Sequence, residues 1–597
     1  MLAAARIAFR SPCLASVQKL QLIMNQVYRN SLWAAVLTLA VPTSSALAIN
    51  EVGGPLITLT SSPTAPNGAW SWFEDERAII DDSDPNNTLL IVSSVSAGPG
   101  GEAGDIDLLW RNLDTGEQGE FELHDQLEQD DHNSASLWRR PDGRYVAAYA
   151  RHSTDQLTRW RVSTNPGDPT AWEPEQTIDA SPFSSARVTY NNLHYLAADN
   201  GGQGRLYNFV RSENFNPNIL VSGDWGDSWS YGGRLLSQGS GGVRPYMRYF
   251  SNGDAIHFFA TEGHPRDVNN SIYHGFIRDG QLFNSSGALV DADLFDTNYV
   301  GPADLTQVFA ANTVVNGTPM TRAWNIDVAI DDDGNPYGVF QARIDPGPLS
   351  GGQESLDHQF FYSRFDGNQW VVHPLALAGR DIYNASPNGS EDDYSGLIAL
   401  DPNDPNTLYI STPIDPRTDV PMPRYEIFRG QTADGGATWQ WDPITFNSTM
   451  DNVRPIMPAW NETESALLWM RGDYVTFREW STEIVLLTDI TPLDPSISIA
   501  DFNGDNIVDL LDYATLVSGL HADFTGITDP AIAYQMGDLN GDFRTNFADV
   551  LLFEAEYHRI NGQGSLAIDL ASVPEPSAVS MFSMAALAAT LFRYVCR

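Results

Sequence analysis

The sequence predicts an all-β fold, a seven-bladed β-propeller, followed by a small α-helical module built around two acidic loops. Three observations carry this. From about Ile49 to Thr491, short apolar or aromatic stretches alternate with Asp-Gly, Asn-Gly and Asp-Pro turns, as in 139–149, 331–340 and 363–370. Such pairs read as β-hairpins. The stretch is about 440 residues long and lacks long helical periodicity, which exceeds one sandwich and points to radial repetition. Beyond it the pattern turns helical, and two Asp/Asn-rich loops of identical spacing each precede an apolar run.

Within the propeller region, Ser222-Gly-Asp224-Trp-Gly226-Asp-Ser228-Trp229 and Thr432-Ala-Asp434-Gly-Gly436-Ala-Thr438-Trp439 repeat one hairpin motif, the Asp-box, and 163–167 with Trp172 is a degenerate third copy. The Asp accepts turn hydrogen bonds, the Gly takes the strained position and the Trp packs between layers. These motifs argue fold and say little about chemistry.

Composition narrows the class. Hydrophobic residues make up 42% and aromatics 11% of 597 residues, enough for a sizeable core. A formal charge of -42 excludes nucleic acid as a partner, because phosphate binding needs basic stripes. Lys19 is the only lysine, so arginine carries the remaining positive charge, and the acidic surface suits a saline habitat. The two cysteines, Cys13 and Cys596, fall in terminal segments, which leaves the working domains without disulfides or thiolate metal sites.

The first 48 residues read as an export signal: basic Arg6, Arg10, Lys19 and Arg29, an apolar run over 32–41, then Ala46-Leu47-Ala48 for cleavage. At the other end Val573-Pro574-Glu575-Pro576-Ser577 precedes an apolar run to about Phe592, with Arg593 and Arg597 after it. This order resembles the PEP-CTERM sorting signal, which implies an envelope sorting machinery and delivery to the surface or the extracellular space. The expected division is 1–48 signal, 49–491 propeller, 492–500 linker, 501–560 calcium module, 561–572 linker and 573–597 sorting signal.

In the first loop Asp501, Asn503, Asp505, Asp509 and Asp512 occupy positions 1, 3, 5, 9 and 12, with Ile507 supplying a backbone carbonyl at position 7. Asp538, Asn540, Asp542, Asn546 and Asp549 repeat those offsets, with Arg544 at position 7. Calcium takes six to eight hard oxygens, and this spacing wraps a short loop around one ion. The pair resembles dockerin type I modules, which implies calcium-dependent folding and docking onto a cohesin-bearing protein; support of the neighbouring domain is the alternative.

Candidate chemistry lies in polar blocks: 130–138 with His132, 149–153 with His152, 189–193 with Tyr190, 207–211 with Arg211, 244–249 with Arg244, Tyr246 and Arg248, and 261–267 followed by His274. With 392–396 and 468–474, these blocks resemble in order the BNR-repeat propeller family that includes ulvan lyases, over about residues 68–488. The resemblance implies a secreted lyase that cuts uronic-acid-containing, anionic polysaccharide by β-elimination. It places His132 and Tyr190 as a base/acid pair and Arg211 as the group neutralising the substrate carboxylate, with Arg244 its rival. His152, Tyr246, Arg244 and Arg248 would bind substrate. His264, Asp267 and His274 are a candidate structural metal set, zinc by the resemblance. The alternatives are a sialidase-like glycoside hydrolase and a non-catalytic glycan-binding envelope protein.

Overall fold

The computed structural model describes residues 51–572 apart from 61–66, 99–102, 185–186, 239–243, 345–357, 380–381, 383–392, 521 and 528. The export and sorting segments and Asp392 lie outside the described residues. Among the described residues no helix is long and apolar enough to cross a membrane. The chain forms two compact units, one ending at Pro495 and one beginning at Ser496.

The first unit is a seven-bladed propeller. Six blades run in chain order from their innermost strands, Ala78–Asp81, Ser136–Arg139, Thr189–Leu196, Met247–Ser251, Thr321–Ile330 and Ile398–Leu400, each continued by antiparallel hairpin strands. The seventh starts at Asn452–Ile456, and its outermost strand is Ile57–Thr58 from the N-terminal side, paired with Glu479–Leu487 (Ile57 opposite Leu486). The ring is thus closed by pairing the two ends of the unit, which covers the outer edge of Glu479–Leu487.

The blades pack through aromatic and aliphatic faces. Between the third and fourth, Phe209 stacks on Tyr249 with centroids 4.2 Å apart, and Tyr207, Phe258 and Ile277 join the same buried cluster. The Asp-boxes sit in the turns between third and fourth strands. Asp224 accepts from Ser228 N (2.9 Å) and Oγ (2.6 Å), and Asp434 accepts from Thr438 N (2.9 Å) and Oγ1 (2.7 Å). Gly436 has φ +98°, and a Cβ there would meet the Tyr362 ring at 2.3 Å, so glycine is required. In the degenerate copy Trp172 Nε1 donates to the Pro169 carbonyl (2.8 Å), much as Trp439 Nε1 donates to that of Gly436 (3.0 Å).

Strand pairing sets which end carries the chemistry. Thr189, at the start of an innermost strand, pairs with Arg211 at the end of the next, which pairs with Pro217 at the start of the third. The starts of first and third strands and the ends of second strands therefore share one end of the ring. The Asp-box turns lie at the other.

The second unit contains helices Leu510–Gly519, Pro530–Gln535, Phe547–Asn561 and Ser565–Ser572. Asp509 and Asn546 cap two of them, each paired with the Asp three residues on (Asp512, Asp549) in a reciprocal capping box. The segments expected as linkers belong partly to this unit. Ile497, Ile499 and Ala500 are buried and Ser498 Oγ donates to Glu556 (2.5 Å), while Leu566 is buried and Tyr557 donates to Asp569 (2.7 Å). Their short apolar residues have a core to enter, which no local pattern signals.

Candidate functional site

At the strand-start end, a turn built by Asp130 places two histidines side by side. Asp130 caps the short helix Asp131–Asn133, accepting from His132 N (3.2 Å) and contacting His132 Nδ1 through the same oxygen (2.7 Å). Its other oxygen meets His152 Nδ1 at 3.0 Å. The two imidazoles stack, centroids 3.8 Å apart and 16° from parallel, and the Phe477 ring meets both edge-on at 5.5 Å. Asp131 adds a second carboxylate 2.8 Å from His132 Nδ1 and is itself held by Tyr474 Oη (2.5 Å).

These contacts fix opposite charge states. Burial alone would lower the affinity of His132 for a proton, but Asp130 and Asp131 outweigh it and hold the pKa well above the usual histidine range. His152 is pushed down to about 4 by burial and by the cationic His132 beside it. The stack is therefore one imidazolium and one neutral imidazole at neutral pH.

Tyr190 lies 5.5 Å from the His132 ring and has φ +66°, in a β-bulge between Thr189 and Asn192. The bulge turns the side chain out of the sheet pattern. Arg211 stands over the Tyr190 ring (4.7 Å), with Nη1 3.5 Å from its hydroxyl, and 6.0 Å from the ring of Tyr246. Burial, followed by the neighbouring Tyr246, keeps the Tyr190 hydroxyl protonated far above neutral pH. Phe73, Tyr190, Arg211 and Tyr246 enclose only about 20 Å³, so a sugar must meet the cluster from its mouth.

The fold thus brings His132, His152, Tyr190, Arg211 and Tyr246 together. The glycine-rich stretch 201–204 that separates Tyr190 from Arg211 falls in the connection at the opposite end of the blade, so it leaves the Thr189–Arg211 pairing intact. Arg244 is half-exposed and held 3.6 Å from Asp267. Arg248 is not at the mouth. It is 2% exposed, 3.4 Å from Asp327 and 3.9 Å from Asp75 of the axial segment 70–77.

The expected metal set is also corrected. His264, Asp267 and His274 do not converge. His274 faces blade five, with its ring nitrogens at His257 Nδ1 (3.1 Å) and Ser285 Oγ (2.8 Å), while His264 Nδ1 accepts from Arg266 N (3.1 Å). In the propeller, Asp130, His132 and His152 gather three metal-ligating side chains, with ligand atoms within 4.8 Å. Their rings are nearly parallel and address separate oxygens of Asp130, which suits a hydrogen-bonded pair better than convergence on one ion.

Unforeseen is the segment 70–77, Trp-Ser-Trp-Phe-Glu-Asp-Glu-Arg, which crosses the ring axis. Phe73 stacks on Trp324 of blade five (3.8 Å, 5°), Trp72 Nε1 donates to the Ser395 carbonyl (2.6 Å), and Arg454 of blade seven donates to the carbonyls of Ser71 (3.0 Å) and Glu74 (2.9 Å). Asp75 accepts from Tyr249 N (2.9 Å) and contacts His194 Nε2 (2.8 Å). Glu74 and Arg77, both fully buried, pair at 2.9 Å under the site, and Ser134 Oγ donates to Glu74 (3.1 Å). Burial outweighs Arg77 and lifts the Glu74 carboxyl to about 7. The signal was four charged residues directly after an aromatic triplet, but only ring closure shows what surrounds them.

In the second unit the two acidic loops are near copies. Asp501 Oδ1 accepts from Gly504 N (2.7 Å) and Oδ2 from Asn506 N (2.7 Å); Asp538 Oδ1 accepts from Gly541 N (2.9 Å) and Oδ2 from Phe543 N (2.8 Å). Asp512 and Asp549 close the loops onto the backbone of Asn503 and Asn540 (3.1 Å each). Burial and then neighbouring carboxylates lift Asp512 to about 7; burial also lifts Asp538, to about 6. Such crowding of hard oxygens fits a divalent cation that would relieve it.

Fold and site together define a seven-bladed propeller with a His/Tyr/Arg cluster at one end. Residues 102–377 match the model of a BNR repeat-containing family. No curated protein matches the chain. Among solved structures, an ulvan lyase described as a new polysaccharide lyase family is 16% identical, with 73% of this chain and 97% of that one aligned and a TM-score of 0.50. The polysaccharide lyase Uly1 is 11% identical over 73% and 97%, with a TM-score of 0.43. The α-L-arabinofuranosidase of Fusarium graminearum is 12% identical over 60% and 92%, at 0.34. At these identities the first likeness shows the fold alone.

Proposed function

We propose that this chain is a secreted polysaccharide lyase that cleaves uronic-acid-containing polysaccharide by β-elimination. The observation that carries the reading is a pair of stacked histidines held by one carboxylate beside an arginine-backed tyrosine. Elimination needs the uronate carboxylate neutralised, a base at the C5 proton and an acid at the departing O4. Arg211 and the cationic His132 serve the carboxylate. The base role moves from His132 to His152, since an imidazolium cannot take a proton and the substrate carboxylate raises the basicity of the neutral ring. Tyr190, kept protonated, gives its proton to O4 as the C4–O4 bond breaks and C4=C5 forms; solvent returns the proton from His152 to Tyr190.

Incubating the purified protein with ulvan and other polyuronates while following the ultraviolet absorbance of the C4=C5 bond tests this. No rise on any uronate sinks it, and reducing ends without the chromophore indicate hydrolysis.

The loops at 501–512 and 538–549 each hold one calcium ion through the side chains of Asp501, Asn503, Asp505, Asp509 and Asp512 and of their counterparts, with Ile507 and Arg544 contributing carbonyls. The crowded carboxylates support this. The resemblance of the acidic loops to a dockerin, of 1–48 to an export signal and of 573–597 to a sorting signal supports a location outside the cytoplasm, at the envelope or on a cohesin-bearing partner.

A further inference from the structure

Two exposed arginines bracket His152. Arg478, on the turn between the second and third strands of the last blade, is 55% exposed, and its Nε is 3.0 Å from Asp130 Oδ2, the oxygen that also holds His152. Its guanidinium lies 5.2 Å from the centroid of Phe477, the ring packed edge-on against both imidazoles. Arg187, also exposed, enters from the other side: its Nη1 donates to the carbonyl of Ser153, next to His152 (3.1 Å).

The neighbouring groups engage these two arginines only in part: Arg478 makes one close ion pair, and Arg187 donates to a backbone carbonyl. Asp130 and Asp131 share the one imidazolium of His132, and Asp131 also accepts from Tyr474. Glu128 reaches Arg478 only at 4.0 Å, because its Oε2 accepts from His152 N (3.2 Å) and Thr154 Oγ1 (2.7 Å). Arg151 is drawn towards Asp155 (3.7 Å) and adds no free charge. Arg478 is thus anchored through Nε while its side chain stays 55% exposed, which leaves guanidinium surface open to a ligand. That is the arrangement that recognises a planar or tetrahedral oxyanion. In a chain of charge -42, a polyanion approaches only where such local charge offsets the repulsion.

We propose that Arg478 and Arg187 form an anion clamp at the mouth of the site, binding a carboxylate or sulfate ester on a sugar next to the one that reacts. The clamp rests on the reading of the site as one that acts on an anionic glycan, but binding alone tests it. Calorimetry on the full-length Tyr190→Phe protein measures affinity for ulvan, for unsulfated polygalacturonate and for a sulfated neutral galactan, with and without Arg478→Gln and Arg187→Gln.

The clamp predicts at least tenfold weaker binding in the double variant and a shallower salt dependence than in the parent. Weakening on polygalacturonate assigns the carboxylate, and weakening on the galactan assigns the sulfate. Affinities within twofold of the parent on every polymer overturn the clamp even if the enzyme proves to be a lyase, as does a parent that binds none of the three. Loss of binding in the double variant upholds the clamp even where no unsaturated product forms.

Discussion

At the residue scale, Asp130 holds two histidines with one carboxylate, and burial together with the charge on His132 then sets their protonation apart. Tyr190→Phe keeps the ring packing and removes the acid; turnover on a susceptible polyuronate is expected to fall by about 10²–10⁴-fold with little change in KM. His152 also leaves a signature in stability. Its folded pKa of about 4 lies below the unfolded value of 6.5, so the unfolded chain binds the proton more readily. Stability from this group is complete above pH 6.5 and is lost as pH falls through 4, by up to about 3 kcal/mol. His132 acts oppositely, its contribution being present below 6.5 and lost as pH rises through its raised pKa. Denaturant titrations of wild type and His152→Gln between pH 4 and 7 should therefore diverge as pH rises, and parallel curves would refute the assignment.

At the element scale, the bulges are the repeated device. Tyr190, Arg322 and Arg454 all take positive φ at the start of an innermost strand, each at a register shift. In two of these cases the result is functional or architectural: Tyr190 reaches Arg211, and Arg454 holds the axial segment. The acidic loops carry a separate prediction. Chelating calcium is expected to abolish the helical signal of the 496–572 unit by circular dichroism and leave the propeller's aromatic signal unchanged, since loops of this type fold with their metal. An unaltered helical signal in excess chelator would contradict the calcium assignment. Asp224→Ala removes three bonds at the end remote from the site, so it should lower stability by about 1–2 kcal/mol without altering kcat/KM.

At the scale of the whole molecule, closure through Ile57–Thr58 joins residues more than four hundred positions apart. Removing residues 49–60 opens the seventh blade and exposes its edge, so a lowered Tm and aggregation are expected by calorimetry and light scattering. The axial segment 70–77, bonded to blades three, four, six and seven and stacked on blade five, would lose part of its frame in the same variant.

The hairpin punctuation, the Asp-boxes and the two loop repeats are local patterns, and for that reason the propeller and the acidic loops were legible in the sequence alone. The His132, Tyr190 and Arg211 blocks were legible as candidates because each stands at a strand end. Ring closure decided the rest. It turned Arg248 away from the mouth, separated His264 from His274, brought Phe477 and Arg478 of the last blade onto His132 and His152, and threaded 70–77 through the axis. Contacts between first and last blades depend on how many blades close the circle and how their ends pair, and no local stretch of sequence carries that information.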